Sequence, residues 1–329
     1  MTKLIYLFLI LIGEMCCQSQ TNPKMSDVKN NPLLCDPETG ACEMPGMATN
    51  ATGTEILKGV KPVNIVYYTD PICSSCWGIE PQLRKLKLEY GQYFEIDYRM
   101  GGLLPDWSYN SGGISKPSDV AHHWDEASLY YQMPIDGDVW LEDPLHSSYP
   151  SCIAVKAAQI QDKQKAVIFM RILREGLFID KKNIAKWENI VPAAEKAGLD
   201  VAKLKEDYDG TAQRLFKEDL LLGRKLGVRG FPTLFFSDGN GNQLTVNGSK
   251  PYQHFENALK AIYPDVKKNT FEATDPLALF KHYPTLTVRE YAEILDKSQN
   301  EAKQILEELY ASGVIGKKTI KSGSLFLKK

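Results

Sequence analysis

The chain carries no excess charge of either sign: 39 lysines and arginines stand against 41 aspartates and glutamates. A strongly cationic surface is therefore excluded, and nothing steers the protein as a whole toward nucleic acid or an anionic membrane. Cysteine is scarce, with seven in 329 residues, at positions 16, 17, 35, 42, 73, 76 and 152. They are too few and too clustered for a disulfide framework. Histidine is scarcer still, and none of the five lies near a cysteine pair. With no second C-x-x-C either, the usual four-ligand zinc set is missing. The reading therefore includes no metal and no organic cofactor. Apolar runs are short. Leu4–Ile12, nine residues, falls well below the roughly 20 a spanning helix needs. No internal repeat is evident.

What is present is ordinary for a soluble fold, 43% hydrophobic and 24% charged, in a chain long enough for two or three domains. Lys3 followed by Leu4–Ile12 suits a signal peptide. Gly13-Glu14-Met15-Cys16-Cys17-Gln18 resembles a bacterial lipoprotein signal, with Cys16 or Cys17 as acceptor, although Glu14 and Met15 stand where small residues belong. The expectation is an exported, periplasmic protein whose only membrane attachment is a lipid anchor. Met25-Ser26-Asp27 is the competing start, and it would make the protein cytoplasmic. Residues 1–24 are thus read as a signal segment and 25–60 as a polar tether carrying Cys35 and Cys42. Asp36-Pro37 and Thr39-Gly40 between those thiols are turn formers, so the pair could close a small loop. It is read as a redox relay or a structural disulfide.

Val63–Thr69 is β-branched and aromatic, the pattern of a buried strand. Asp70-Pro71 breaks it. From Ser74 long and apolar side chains recur at helical spacing to Tyr90, and a second strand follows over 93–100. Helical patterns then run over 119–131, 150–161, 163–177, 184–197 and 201–216. Cys152 among them reads as a small buried hydrophobe. Adjacent His122 and His123 point in different directions on a helix, so they read as groove or structural residues, not one metal site. Strand signals return at Thr233–Phe236, with a hairpin turn over 238–242 and a return strand, and a helix over 251–262 closes the unit. A β–α–β start, a helical insertion and a β–β–α finish make one α/β domain with helices on both faces.

Cys73-Ser74-Ser75-Cys76 sits where the first strand hands over to a helix. Unpaired N–H groups and the helix dipole at such a position stabilise a thiolate. Cys73 is therefore expected to titrate below the free value of about 8.5 and to attack, with Cys76 resolving the mixed disulfide. Thr69-Asp70-Pro71-Ile72-Cys73-Ser74-Ser75-Cys76-Trp77-Gly78 after a strand is one motif. Gly227-Val228-Arg229-Gly230-Phe231-Pro232-Thr233 before a later strand is the other. Together they resemble the DsbA-like family of thioredoxin-fold proteins, especially its FrnE-like branch of predicted dithiol–disulfide isomerases. The resemblance implies a thioredoxin fold over 61–265 with a helical insertion at about 101–212. It also implies a cis Pro232 facing the Cys73 sulfur. Gly230, Phe231, Pro232 and Trp77 become the substrate-binding residues. The Ser-Ser pair between the cysteines departs from the better-known relatives and leaves redox direction open.

Residues 277–329 resemble a winged helix-turn-helix. Its second helix carries Lys303 among Glu301, Glu307 and Glu308, which argues for docking or packing rather than DNA. The sequence thus predicts an enzyme, a thiol–disulfide oxidoreductase or isomerase acting on cysteine-containing protein substrates with a redox partner. Two alternatives stand beside it. One is a non-catalytic protease adaptor or chaperone-like DsbA-family protein; the other is a glutathione-dependent kappa-type transferase or isomerase.

Overall fold

A computed structural model describes residues 35–36, 41–43, 61–108, 114–271 and 275–329; of the first two segments it describes the backbone only. The signal segment, with Cys16 and Cys17, lies outside the described residues.

Among the described residues two short strands come first, β1 (Cys35–Asp36) and β2 (Ala41–Glu43). The central unit opens with β3 (Val63–Thr69), whose alternation decides the layering. Val63, Ile65 and Tyr67 point into one apolar cluster, while Val66 and Tyr68 point into another. A strand buried on both faces needs a cover on each side. The helix that follows is two helices, not one: α1 (Ser74–Gly78) and α2 (Glu80–Tyr90), meeting at Ile79 with Pro81 in the first turn of the second. β4 (Phe94–Met100) then pairs in parallel with β3.

The insertion comprises α3 (Pro117–Tyr131), α4 (Val139–Glu142), α5 (Tyr149–Gln161), α6 (Lys163–Phe178), α7 (Trp187–Lys196), α8 (Val201–Asp209) and α9 (Thr211–Lys225). Gly210 separates the last two where a single helix was expected, and the helical region runs to Lys225 rather than ending near 212. The chain returns through β5 (Gly230–Phe231), β6 (Thr233–Ser237), β7 (Gln243–Asn247) and α10 (Tyr252–Ile262). The sheet order is β4-β3-β6-β7, with β6 antiparallel to both neighbours. Helices α2 and α10 cover one face through Leu83, Leu86, Phe255 and Leu259. The insertion covers the other. This is the expected α/β thioredoxin fold with a helical insertion.

The C-terminal module contains α11 (Ala278–His282), β8 (Thr285–Thr287), α12 (Val288–Ile294), α13 (Gln299–Ala311), β9 (Ile315–Ile320) and β10 (Gly323–Lys328). Its sheet order is β8-β10-β9, and its core gathers Leu286, Tyr291, Leu306 and Phe326. Glu290 closes a capping box on Thr287, and Glu301 does the same on Ser298, which fixes both helix starts. The module is bolted to the thioredoxin unit: Arg84 Nη1 donates to the Thr285 carbonyl at 2.7 Å, and Tyr283 Oη donates to the Arg84 carbonyl at 2.9 Å. On the β9–β10 hairpin, Lys317, Lys318 and Lys321 each meet carboxylates of the same chain.

Gly101, just past β4, approaches the ring of Phe231 so closely that an added Cβ would lie 1.8 Å from it. Gly101→Ala must therefore push the Phe231 ring aside. Overpacking of this kind costs about 1–3 kcal/mol. Urea denaturation should show a loss in that range, and an unchanged midpoint would mean that the ring moves freely.

Candidate functional site

Cys73 is the N-cap of α1, in extended backbone, and its Sγ accepts from the Cys76 N–H at 3.2 Å. The strand-to-helix handover thus lies where the sequence put it. The surroundings differ from expectation. Cys73, Cys76 and Trp77 are all 0% exposed and lie in the same apolar cluster as Phe231. Ser75 Oγ and Tyr131 Oη share a hydrogen bond, and the Tyr131 ring presses on Gly78 so tightly that only glycine fits. Trp77 donates Nε1 to the Pro134 carbonyl at 3.1 Å and stacks on Phe178 at 5.4 Å. Its other contact is the Arg171 guanidinium, 4.2 Å from the ring centre. Trp77 packs the interior and presents no surface to a substrate.

Burial pushes the Cys73 thiol well above the ordinary thiol range, reinforced by the hydrogen bond and charge of Cys76. Burial acts on Cys76 too, yet the Cys73 hydrogen bond, the Arg174 charge and the Thr69 hydroxyl outweigh it and draw Cys76 below the ordinary value. The expected acidic Cys73 is thus corrected. The helix terminus contributes one N–H, but desolvation of a fully buried sulfur is the larger effect.

Beneath α1 lies a charged cluster that sequence reading passed over. Arg174, fully buried, meets Glu80 through Nη1 and donates Nη2 to Thr69 Oγ1 at 2.6 Å. Arg171 meets Glu175 at 2.7 Å and Glu290 at 2.7 Å, and Arg84 meets Glu290 at 3.1 Å. The cluster joins the Cys-x-x-Cys helices, the insertion and the C-terminal module. Its only sequence signal is two arginines three apart on the apolar side of α6. Asp70, just before Cys73, is fully buried as well. It accepts from Leu103 N at 2.7 Å, Ile72 N at 3.0 Å, Ser148 Oγ at 2.9 Å and Cys152 Sγ at 3.2 Å. Burial still holds its carboxyl above the usual range, against those four donors. Cys152 is buried as expected, and burial raises its thiol.

The second motif is placed as the resemblance implied in one respect: the Phe231–Pro232 bond is cis. Phe231 is fully buried, and Thr233 Oγ1 donates to the Gly230 carbonyl at 2.7 Å. Strand β5 pairs with β2, Cys42 opposite Phe231 and Glu43 opposite Gly230. Within the tether Cys35 stands directly opposite Cys42. The tether therefore does reach this site, through its backbone. His122 and His123 diverge on α3, with side chains 83% and 16% exposed, and His122 meets Glu126 at 3.3 Å.

A cysteine pair opening a helix after a central strand, a cis proline at the start of the antiparallel strand, and a helical insertion define a DsbA-like thioredoxin-fold protein. The family model described as "Thioredoxin" matches residues 67–257. A solved protein from Nitrosomonas europaea assigned as a protein disulfide isomerase aligns with a TM-score of 0.52 at 18% identity, over 62% of this chain and 97% of that one. This is a likeness of fold. The chain is 35% identical over 288 residues to the ClpXP adapter protein SpxH of Halalkalibacterium halodurans, covering 85% of this chain and 92% of that protein. It is 30% identical over 269 residues to SpxH of Bacillus subtilis, covering 80% and 88%. The chain belongs to the thioredoxin family and, within it, to the family of these adapter proteins.

That finding overturns the expectation of an oxidoreductase or isomerase. Relatives spanning most of the chain are adapters, and the isomerase branch named from the two motifs gives way to them. The physical reason the motifs misled is visible in the site. A Cys-x-x-Cys at a helix start builds the same fold whether its sulfurs are open to exchange or sealed in the core.

Proposed function

We propose that this protein is a non-catalytic adaptor that presents client proteins to a ClpXP-type protease. The carrying observation is the 35% identity to a ClpXP adapter over 85% of the chain, a span longer than the matched thioredoxin region and so reaching beyond it. The site supports the same reading. Exchange needs a thiolate within reach of a protein disulfide, whereas Cys73 and Cys76 are both fully buried. In this reading the cysteine pair is a structural element of the α1 start. The partners are the protease and the client.

The test is reconstitution. ClpXP, ATP and a proteome from the source cells are incubated with and without the protein, and protein half-lives are followed by mass spectrometry. A defined set of proteins is expected to vanish only when all components are present. No half-life that responds to the added chain would end the proposal. A second expectation concerns the thiols. Cys73→Ala with Cys76→Ala should leave client delivery intact, and the parent should not reduce insulin above background. Delivery that disappears in the folded double variant would return chemistry to the thiols.

A further inference from the structure

Helix α9 keeps one side in the core and leaves the other uncovered. Ala212, Phe216, Asp219 and Gly223 turn inward, and the helix sits so close to β3 that an added Cβ at Gly223 would lie 2.9 Å from the Tyr68 ring. At about 100° per residue, Leu221 stands on the side opposite those four, and it is 54% exposed. Lys217, Arg224 and Lys225 surround it, all exposed. The helix stops where Val228 N donates to the Gly223 carbonyl at 2.9 Å, and exposed Arg229 follows directly.

A single exposed leucine is ordinary on any surface. The cations around this one are not. Elsewhere helical cations meet a carboxylate one turn away, as in Lys203–Asp207, Lys205–Asp209 and Arg289–Glu293. Lys217, Arg224 and Lys225 have no Asp or Glu three or four positions away in either direction. Glu218, the exposed acid of α9, is taken by Arg214. Among the described residues no carboxylate lies within ion-pair distance of Lys217, Arg224, Lys225 or Arg229. The helix dipole favours cations in a last turn, which accounts for Arg224 and Lys225. It does not account for Lys217, about two turns earlier, or for Arg229 beyond the helix. The chain as a whole has no surplus of cations, with 39 against 41 acids, so the stripe is a local concentration.

We infer that the Lys217, Leu221, Arg224 and Lys225 face of α9 is a docking surface for an acidic segment of the client, one that brings an apolar side chain onto Leu221. Opposite charges on the rim steer the encounter and fix the register, while the apolar contact at the centre is where water is excluded. A phosphate backbone would gain nothing from Leu221. A helix that lies on a membrane carries a broad apolar face, which one leucine does not make. The naming of the segment as a client's rests on the adaptor reading; the selectivity for acidic peptide does not.

The experiment uses the full chain and two variants, Lys217→Ser with Arg224→Ser and Lys225→Ser, and Leu221→Ser. The probe is a labelled synthetic peptide of glutamate and alanine with leucine at every fourth position, and its control has glutamine for glutamate. The parent should bind the glutamate peptide at least about tenfold more tightly than the triple variant does, a change of ~1.4 kcal/mol. Leu221→Ser should also weaken binding, and added salt should weaken the parent's binding more than the triple variant's. Equal binding by parent and triple variant, equal binding of the two peptides, or no binding by the parent overturns the inference. So does tighter binding to a single-stranded oligonucleotide or to phosphatidylglycerol vesicles than to the peptide. Loss of the apolar requirement in Leu221→Ser would overturn the place given to that residue. The glutamine peptide tests the charge requirement on unaltered protein, and circular dichroism checks that the variants fold. None of these arms involves the protease, so a protein that delivers no client leaves the peptide result standing and removes only the adaptor reading. Where clients are delivered, the triple variant should deliver them more slowly, and an unchanged rate would overturn the assignment of this face to clients.

Discussion

Replacing Glu290 with alanine is expected to cost about 3–5 kcal/mol, the loss typical of stripping one partner from a buried ion pair. Glu290 is fully buried at the start of α12. Its carboxylate accepts from Arg171 Nη1 at 2.7 Å and Nη2 at 3.1 Å, and from Thr287 N at 2.8 Å, with Arg84 beside it at 3.1 Å. Alanine would leave two arginines facing an uncompensated interior and would also open the capping box. Urea denaturation at neutral pH measures the loss. A value below about 1 kcal/mol, the worth of an exposed pair, would show that water already screens the cluster. The same residue sets a pH dependence. Burial works against its charge, but Arg171 and Arg84 overcome it and hold the carboxyl below the usual range. A folded value below the unfolded one contributes stability that is complete above the unfolded pKa, about 4.3, and is lost as pH falls through the folded value. The parent should therefore lose stability on acidification below about pH 4, and Glu290→Ala should lose less over the same interval. Parallel pH profiles for parent and variant would sink this account.

Asp219→Ala should produce a loss of similar size at the other side of the domain. Asp219 is fully buried on α9 and meets Arg99 Nη1 at 2.9 Å and Lys156 Nζ at 2.8 Å. It also accepts from Met100 N at 3.0 Å, and its own carbonyl takes the Tyr68 hydroxyl at 3.0 Å. One carboxylate on α9 thus ties the end of β4, through Arg99 and Met100, to α5, through Lys156. Its removal strands a buried lysine, and about 3–5 kcal/mol is again the expected cost. Asp219→Leu combined with Lys156→Met offers the decisive comparison. Apolar replacement of both buried charges should recover most of the loss. A double variant as unstable as Asp219→Ala would place the cost in packing around α9 rather than in the stranded charge.

These two clusters mark where the sequence stopped being legible. Val63–Thr69 was readable from its β-branched and aromatic run, the hairpin at Asp238–Asn242 from its turn residues, and the helices at 149–161 and 163–178 from apolar residues at helical spacing. The break at Ile79 and the split at Gly210 were not, because periodicity carries across a short interruption. Strand β8, three residues long, pairs with β10 some 38 positions later, and no local signal marks so short an element. Arg171, Arg174, Glu290 and Asp219 carry no local signal of their distant partners, and only the fold brings these opposite charges together. The candidate site divides in the same way. Cys73 and Cys76 were found by spacing and position, and the cis Pro232 followed from the family resemblance. The acidity assigned to Cys73 failed because the helix dipole can be inferred locally and desolvation cannot. The enzyme reading failed because the relatives that match 85% and 80% of the chain are adapters.

By itself the order of residues determined the fold class, the place of the cysteine pair at a strand–helix junction and the helical insertion, because each rests on local periodicity or turn chemistry. Tertiary structure alone decided that the sulfurs are sealed, that a tether strand lies on β5 and that charged residues bind three parts of the chain together. Those outcomes depend on which distant segments exclude water from one another, and solvent exclusion is a property of the packed chain.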